Sequence, residues 1–335
     1  SGRLSDILQQ HPDIIIINNY SPPPNEIMEM PTKIMAKLKR KILMALLAVM
    51  IVFSRNTGMT DELENNESYL PRVASLNLCA DAYLMAFAKP EQIVSLTQQS
   101  SDPTLSAFVD EASNFPISSG RLSDILQQHP DIIIINNYSP PPNDALMDKL
   151  GIKIVKLEAS NSYQSARTEI LMLGKALNRL AAARVYLAKL DKELIEAQHS
   201  EITKRPSIIN YQRRGIVVGE NHILDDIIQL AGARNSGRDT GRTIGPMSLE
   251  NLIRLQPDYV LSISEKEKQT HISEDRGSEI LSHPALEKMF GAEQHIYIPQ
   301  NLTVCAGATT PKAVAHLVNS LQSSKLGAET RQIPE

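Results

Sequence analysis

The chain has 335 residues and a formal net charge of −4, a balance without the basic excess that a general nucleic-acid binder needs. That length suits two lobes with cores of their own, while 4% aromatics and no Trp exclude a ligand cleft walled by indoles. Two cysteines, Cys79 and Cys305, fit either one disulfide in an oxidising compartment or two buried thiols.

The first stretch, SGRLSDILQQHPDIIIINNYSPPPN at residues 1–25, returns unchanged at 119–143. An old duplication drifts, so this identity points to a recent or artificial copying event. Residues 1–29 are expected to be a duplicated, non-native extension, with 119–143 the native copy and Met30 or Met35 the natural start. Residues 30–58 then read as a secretory signal and the start of the mature chain. Lys37, Lys39, Arg40 and Lys41 precede the apolar run 42–53, and short residues follow near Ser54. Those 12 apolar residues rise only about 18 Å as helix, short of a hydrocarbon core of about 30 Å, so a membrane anchor is the lesser reading. No Cys follows the run, which argues against a lipid anchor. A secreted, periplasmic product is expected.

From residue 71 strand and helix patterns alternate. RVASLNL (72–78), QIVSLT (92–97), DIIIINN (131–137) and KIVKLEA (153–159) are continuous β-branched runs, as parallel strands covered on both faces are. Helical stretches such as DAYLMAFA and LSDILQQH lie between them, giving an N-terminal lobe over 71–160. Residues 161–200 read as a connecting helix, with one apolar stripe through Ala166, Ile170, Leu173, Leu177, Leu180, Leu187, Leu190 and Leu194. Gly174 costs about 1 kcal/mol inside a helix and permits a break at 175–178. Even 180–198 alone would reach roughly 28 Å. A second series, PSIINYQ (206–212), ILDDIIQLAG (223–232), DYVLSIS (258–264), HIYIPQ and PKAVAHLVNSLQ, forms a C-terminal lobe over 205–328. The expected fold is α/β: two Rossmann-like lobes with parallel sheets, joined by a long rigid helix, with a ligand cleft between them.

A diverged echo supports two lobes of similar construction. LSDILQQHPDIII (122–134) aligns without gaps to LENLIRLQPDYVL (249–261). Both keep their apolar pairs, and both pass through Pro-Asp into a strand, where Pro stops the helix and Asp helps the turn.

Ligands of open α/β sheets bind at the carboxyl ends of the strands. In the first lobe those ends carry Asn77, Ser101, Asp102 and Tyr138, and in the second Tyr211, Arg213, Arg214, Arg242 and Thr303. Three guanidinium groups at one mouth would clamp carboxylates or an anionic metal chelate, with solvated surface arginines as the alternative. Tyr138 and Tyr211 are candidates to stack on a ligand or supply a phenolate to iron, or else to cap buried strands. The eight histidines show no paired metal-ligand spacing, and no dinucleotide loop, phosphate loop or nucleophile elbow occurs. No resident metal, cofactor or catalytic residue is expected.

The order of these segments, with PRVASLNLCADAYLMAFAKPEQIVSLT, PDIIIINNY, GENHILDDIIQLAGARNSG and GPMSLENLIRLQPDYVLSIS, resembles the periplasmic substrate-binding proteins of ABC importers for cobalamin, ferric siderophores and haem. The resemblance covers nearly all of 71–322 and is most specific at 223–264. It implies a non-enzymatic, monomeric carrier that holds a metal-chelate ligand between its lobes and delivers it to a membrane permease. A ferric siderophore is favoured over cobalamin or haem by the arginines. The resemblance also implies a permease-docking carboxylate on each lobe, at Glu250 and, by the internal echo, near Ser123, where Asp124 is the adjacent acid. The alternative class is a secreted two-lobed α/β enzyme acting in the cleft.

Overall fold

The computed structural model describes residues 69–137, 142–198, 205–264 and 288–330. The expected extension and signal at 1–58, and Tyr138, lie outside them.

Two four-stranded, wholly parallel sheets organise the chain. In the first lobe the elements run β1 (Val73–Ser75), α1 (Leu78–Phe87), β2 (Ile93–Ser95), α2 (Val109–Ala112), α3 (Leu122–Leu126), β3 (Ile132–Asn136), α4 (Asp144–Leu150) and β4 (Lys153–Leu157). Two helices follow, α5 (Tyr163–Ala176) and α6 (Leu180–Gln198). The second lobe contains β5 (Ser207–Asn210), β6 (Ile216–Val218), α7 (Ile223–Leu230), β7 (Arg234–Asn235), β8 (Ile244–Pro246), α8 (Leu249–Leu255), β9 (Tyr259–Ser264), β10 (His295–Pro299) and α9 (Thr310–Thr330). The sheet orders are β2-β1-β3-β4 and β7-β5-β9-β10. Each lobe therefore places its first strand second, its second at one edge, and its last two in succession beyond the first.

The echo in the sequence is a repeated corner in three dimensions. His129 and Gln256, at corresponding positions, both take left-handed backbone with φ of 50° and 44°. The Asp after each Pro then ties the corner to the neighbouring strand: Asp131 Oδ2 accepts the Arg72 amide at 2.7 Å, and Asp258 Oδ2 accepts the Ser207 amide at 2.7 Å. Strand β3 is buried over Ile132, Ile133, Ile134 and Ile135, as a strand covered on both faces must be. At β4 the continuous pattern fails, because Lys153 and Lys156 are exposed, the usual protection of a sheet edge.

The stretch 161–200, expected as a connecting helix with a break permitted at 175–178, does break there and folds back as a hairpin. The chain reverses at 177–179, where Asn178 has φ of 56°. The arms then run antiparallel: Tyr163 Oη donates to Asp191 at 2.8 Å, Arg167 forms an ion pair with the same carboxylate, and a Cβ on Gly174 would collide with Ala183. Helix α6 runs from one lobe to the other. At its N-terminal end the Arg179 guanidinium donates to the Phe87 carbonyl at 3.0 Å, and at its C-terminal end the Gln198 amide donates to the Leu230 carbonyl at 3.0 Å. Its 19 residues reach about 28 Å. One apolar cluster continues from Val73 and Leu84 through Ile170 and Leu187 to Ile227 and Leu317, so the lobes share a core along this strut.

Opposite contacts stitch the lobes a second time. Cys79, in the first turn of α1, is bonded through sulfur to Cys305, 226 residues later in the loop before α9. The disulfide alternative left open by the sequence is thus the one realised. Tyr83 Oη donates to the Ala306 carbonyl at 2.7 Å, and Gly307, at φ 90°, lies so close to Tyr83 that a side chain would clash. The Asn301 amide donates to the Pro103 carbonyl at 3.0 Å.

Candidate functional site

Two cavities lie on loops that leave the carboxyl ends of the strands. The smaller, about 500 Å³, is lined by Gln98, Gln99, Ser101, Asp102 and Pro103, the turn following β2. The larger, about 700 Å³, is lined by Asp239, Thr240, Arg242, Pro246 and Met247, together with Asn251, Arg254 and Leu255 of α8. Each is built by one lobe among the described residues, and Asn301 of the second lobe reaches the rim of the first cavity at Pro103.

Of the expected ligand-facing residues, Ser101, Asp102 and Arg242 line these cavities. The Asp102 carboxylate accepts both the amide and the hydroxyl of Thr104 at 2.8 Å, which holds it below its ordinary acid range. Arg214 is exposed, with φ of 60°. Arg213 shares its turn, with a side chain outside the described set, as is Tyr138.

Three expectations are corrected. Asn77 is buried and caps α1, its Oδ1 accepting the Cys79 amide at 2.8 Å and the Ala80 amide at 3.2 Å. Tyr211 is 1% exposed and donates to the Met247 carbonyl at 3.3 Å, so burial raises its phenol and neither ring face nor oxygen meets a cleft. Thr303 is buried, with its hydroxyl donated to the Gln300 carbonyl at 2.9 Å. All three sit at strand or helix ends where the chain's own polar groups need partners more than a ligand does.

The arginines are also less convergent than expected. Strands β6 and β8 form an antiparallel ladder with Gly215 opposite Met247 at one end and Gly219 opposite Thr243 at the other. Arg214 and Arg242 flank its opposite ends, roughly 14 Å of ladder at about 3.4 Å per residue. A ligand touching both must be broad.

Sequence reasoning passed over two buried carboxylates beneath the cavities. Asp81, in the first turn of α1, is 0% exposed and its Oδ2 accepts the Thr97 amide at 3.0 Å, the Thr97 hydroxyl at 2.6 Å and the Ser100 hydroxyl at 2.7 Å. Burial raises its carboxyl, and those hydrogen bonds oppose the rise. Its Oδ1 has no partner. Asp225, in the first turn of α7, is 3% exposed and accepts from Asn235 at 2.9 Å and from two nitrogens of Arg238 at 2.8 and 2.7 Å. A signal existed: each is an acid among apolar residues at the start of a helix that follows a strand.

The docking candidates occupy corresponding first turns. Glu250 is exposed on α8, its carboxyl lowered by backbone and Ser248 hydrogen bonds. Asp124 on α3 is half-buried and accepts the hydroxyls of Ser119 and Ser123, which lower its carboxyl. Among the described residues no cluster of three His, Cys, Asp or Glu could hold a metal ion, and no helix is long and apolar enough to cross a membrane.

A family model described as periplasmic binding protein matches residues 73–298. Among solved structures, the periplasmic heme-binding protein RhuT from Roseiflexus sp. RS-1 in apo form aligns with a TM-score of 0.59 at 22% identity, covering 76% of this chain and 99% of that one. The periplasmic heme-binding protein HutB of Vibrio cholerae gives 0.59 at 19%, covering 75% and 98%. A possible iron-binding periplasmic solute-binding protein from Staphylococcus epidermidis gives 0.62 at 16%, covering 75% and 98%. No curated protein matches the chain.

Proposed function

The chain belongs to the periplasmic binding protein family, and from that premise we propose that it captures an anionic transition-metal chelate, of the class shared by ferric siderophores and haem, and hands it to the permease of an ABC importer. The observation that carries the ligand class is the pair of exposed arginines, Arg214 and Arg242, at the two ends of the β6–β8 ladder of the second lobe. Charge-assisted bonds from guanidinium to carboxylate suit a ligand whose acidic groups are spread over a broad body. The heme bound by RhuT and HutB, as their names say, supports a flat chelate of that size. On this reading the metal is cargo carried inside its chelate.

The periplasm is the compartment this reading requires. A disulfide joining the lobes supports it, because such bonds persist in oxidising surroundings. The segment 30–58 would direct export, and Glu250 with Asp124 would meet basic groups of the permease.

The test uses the chelates' own absorbance, since the chain has no Trp to quench. Purified protein is titrated with hemin, ferric enterobactin and cyanocobalamin at low and high salt. Salt-sensitive binding of one of the anionic chelates is the expected result, because screening weakens exposed charge pairs. Salt-insensitive binding of cyanocobalamin alone would overturn the anionic class, and chemical conversion of any probe would overturn the carrier role.

A further inference from the structure

We propose that Asp81 and Asp225 are equivalent positioning residues, each clasping the loop through which its lobe touches the ligand; the inference rests on the ligand-capture reading. The equivalence comes from topology. Each acid lies in the first turn of the first α-helix after the first strand of its lobe's parallel sheet: α1 comes directly after β1, and α7 after β5 with the short strand β6 between them. Each reaches the turn that follows the edge strand of the same sheet, Gln98–Ser101 after β2 and Ser236–Thr240 after β7. These turns supply the cavity walls: Gln98, Gln99 and Ser101 in the first lobe, Asp239 and Thr240 in the second. The same device thus recurs at the same place in both halves.

A short surface turn with few buried apolar groups has little to hold it in one conformation. A buried carboxylate accepting several donors from that turn supplies the constraint, and the second lobe adds more. Asn235 Nδ2, besides meeting Asp225, donates to the Val218 carbonyl at 3.0 Å, so the clasp also fixes the β6 edge of the ladder that carries Arg242. The clasps differ in charge. Arg238 neutralises Asp225 by a two-pronged bond, whereas every donor to Asp81 is a hydroxyl or a backbone amide, and one of its oxygens is left without a partner. The first-lobe turn is therefore the one that yields more readily.

Asp81→Asn and Asp225→Asn weaken the clasps from the carboxylate side; Ser100→Ala and Arg238→Ala do so from the loop side. The loop-side changes are small or exposed, the Arg238 side chain being 46% exposed, so they keep the fold if a carboxylate variant does not. With hemin, ferric enterobactin and cyanocobalamin as probes, each single variant should weaken the bound probe by roughly tenfold, mainly through faster dissociation. Asp81→Asn with Ser100→Ala should bind no more weakly than Asp81→Asn alone, while changes in opposite lobes should multiply. Unchanged affinity, or losses that multiply within one lobe, would overturn the proposal. Amide exchange needs no probe: it should quicken at 97–102 in Asp81→Asn and at 235–241 in Asp225→Asn, without a fall in the urea midpoint of comparable size. Exchange unchanged there, or raised across the whole chain, would refute the clasps. Failure to bind any probe would instead refute the ligand class and leave the exchange result to decide this one.

Discussion

Replacing Cys79 and Cys305 by Ser together removes the covalent link between the lobes and leaves the rest of the seam, including Tyr83 Oη on the Ala306 carbonyl. The size of the effect follows from the 226-residue separation. In the chain-entropy treatment a loop of that length takes about 18 cal/mol/K from the unfolded ensemble, or about 5 kcal/mol at 25 °C, the upper end of the range for single disulfides. At about 2–4 °C per kcal/mol for a chain of this size, the midpoint of thermal unfolding should fall by roughly 10–20 °C. The assay is urea and thermal unfolding of the oxidised wild type against the double Ser variant, with the slope of the urea transition compared between them. A lower midpoint with a slightly steeper slope is expected, since the unlinked chain exposes more surface when it unfolds. A loss of less than about 1 kcal/mol would refute the reasoning, showing that residual structure already restricts the unfolded chain as much as the bond does.

Arg214→Ala with Arg242→Ala should weaken binding of an anionic chelate by about 100-fold, flatten its salt dependence and leave stability nearly unchanged, as exposed arginines contribute little to folding; titration at two salt concentrations checks this, and unchanged affinity returns both residues to the solvent surface. Glu250→Arg should impair uptake in a reconstituted transporter while soluble binding persists, and normal uptake would remove Glu250 from the docking surface. Burial raises the folded-state carboxyl of Asp81 above its ordinary 3.8, so its titration adds stability that is full below 3.8 and lost as pH rises through the raised value. Asp81→Asn cannot titrate, and the wild type's stability relative to this variant should therefore decline as pH rises through that window; a difference in urea midpoint that stays constant with pH would contradict it. Deleting residues 1–58 should leave affinity unchanged if the first copy of the repeat is a passenger, and a tenfold loss would show otherwise.

Local patterns carried much of the architecture into the sequence. The unbroken Ile run of β3, the Pro-Asp corners before β3 and β9 and the strut stripe from Leu187 to Leu194 are all written in residues close to one another along the chain. Contacts between distant residues were not. The reversal at Asn178 depends on Gly174 meeting Ala183, and nothing in the apolar spacing distinguishes a straight helix from one folded back on the same stripe. Tyr211 reads as a ligand contact until its hydroxyl is found on Met247, 36 residues away. The short ladder of β6 and β8 escaped because three-residue strands give too few positions for any period to show. Asp81 and Asp225 were hidden for a related reason: an acid in a first helical turn is ordinary at a surface, and only tertiary burial sets these two apart.

The link between Cys79 and Cys305 also fixes an order of events in the making of the protein. With only two cysteines in the chain, Cys79 has no wrong partner in its own molecule, and its right one emerges last, 226 residues later. While the chain is synthesised up to that point, the first lobe must find its sheet order and pack α5 on α6 without covalent help. A thiol on α1 stays open to other molecules throughout that interval. Until residue 305 is made the bond cannot form, so a chain that stops short of it carries a single sulfur without its partner.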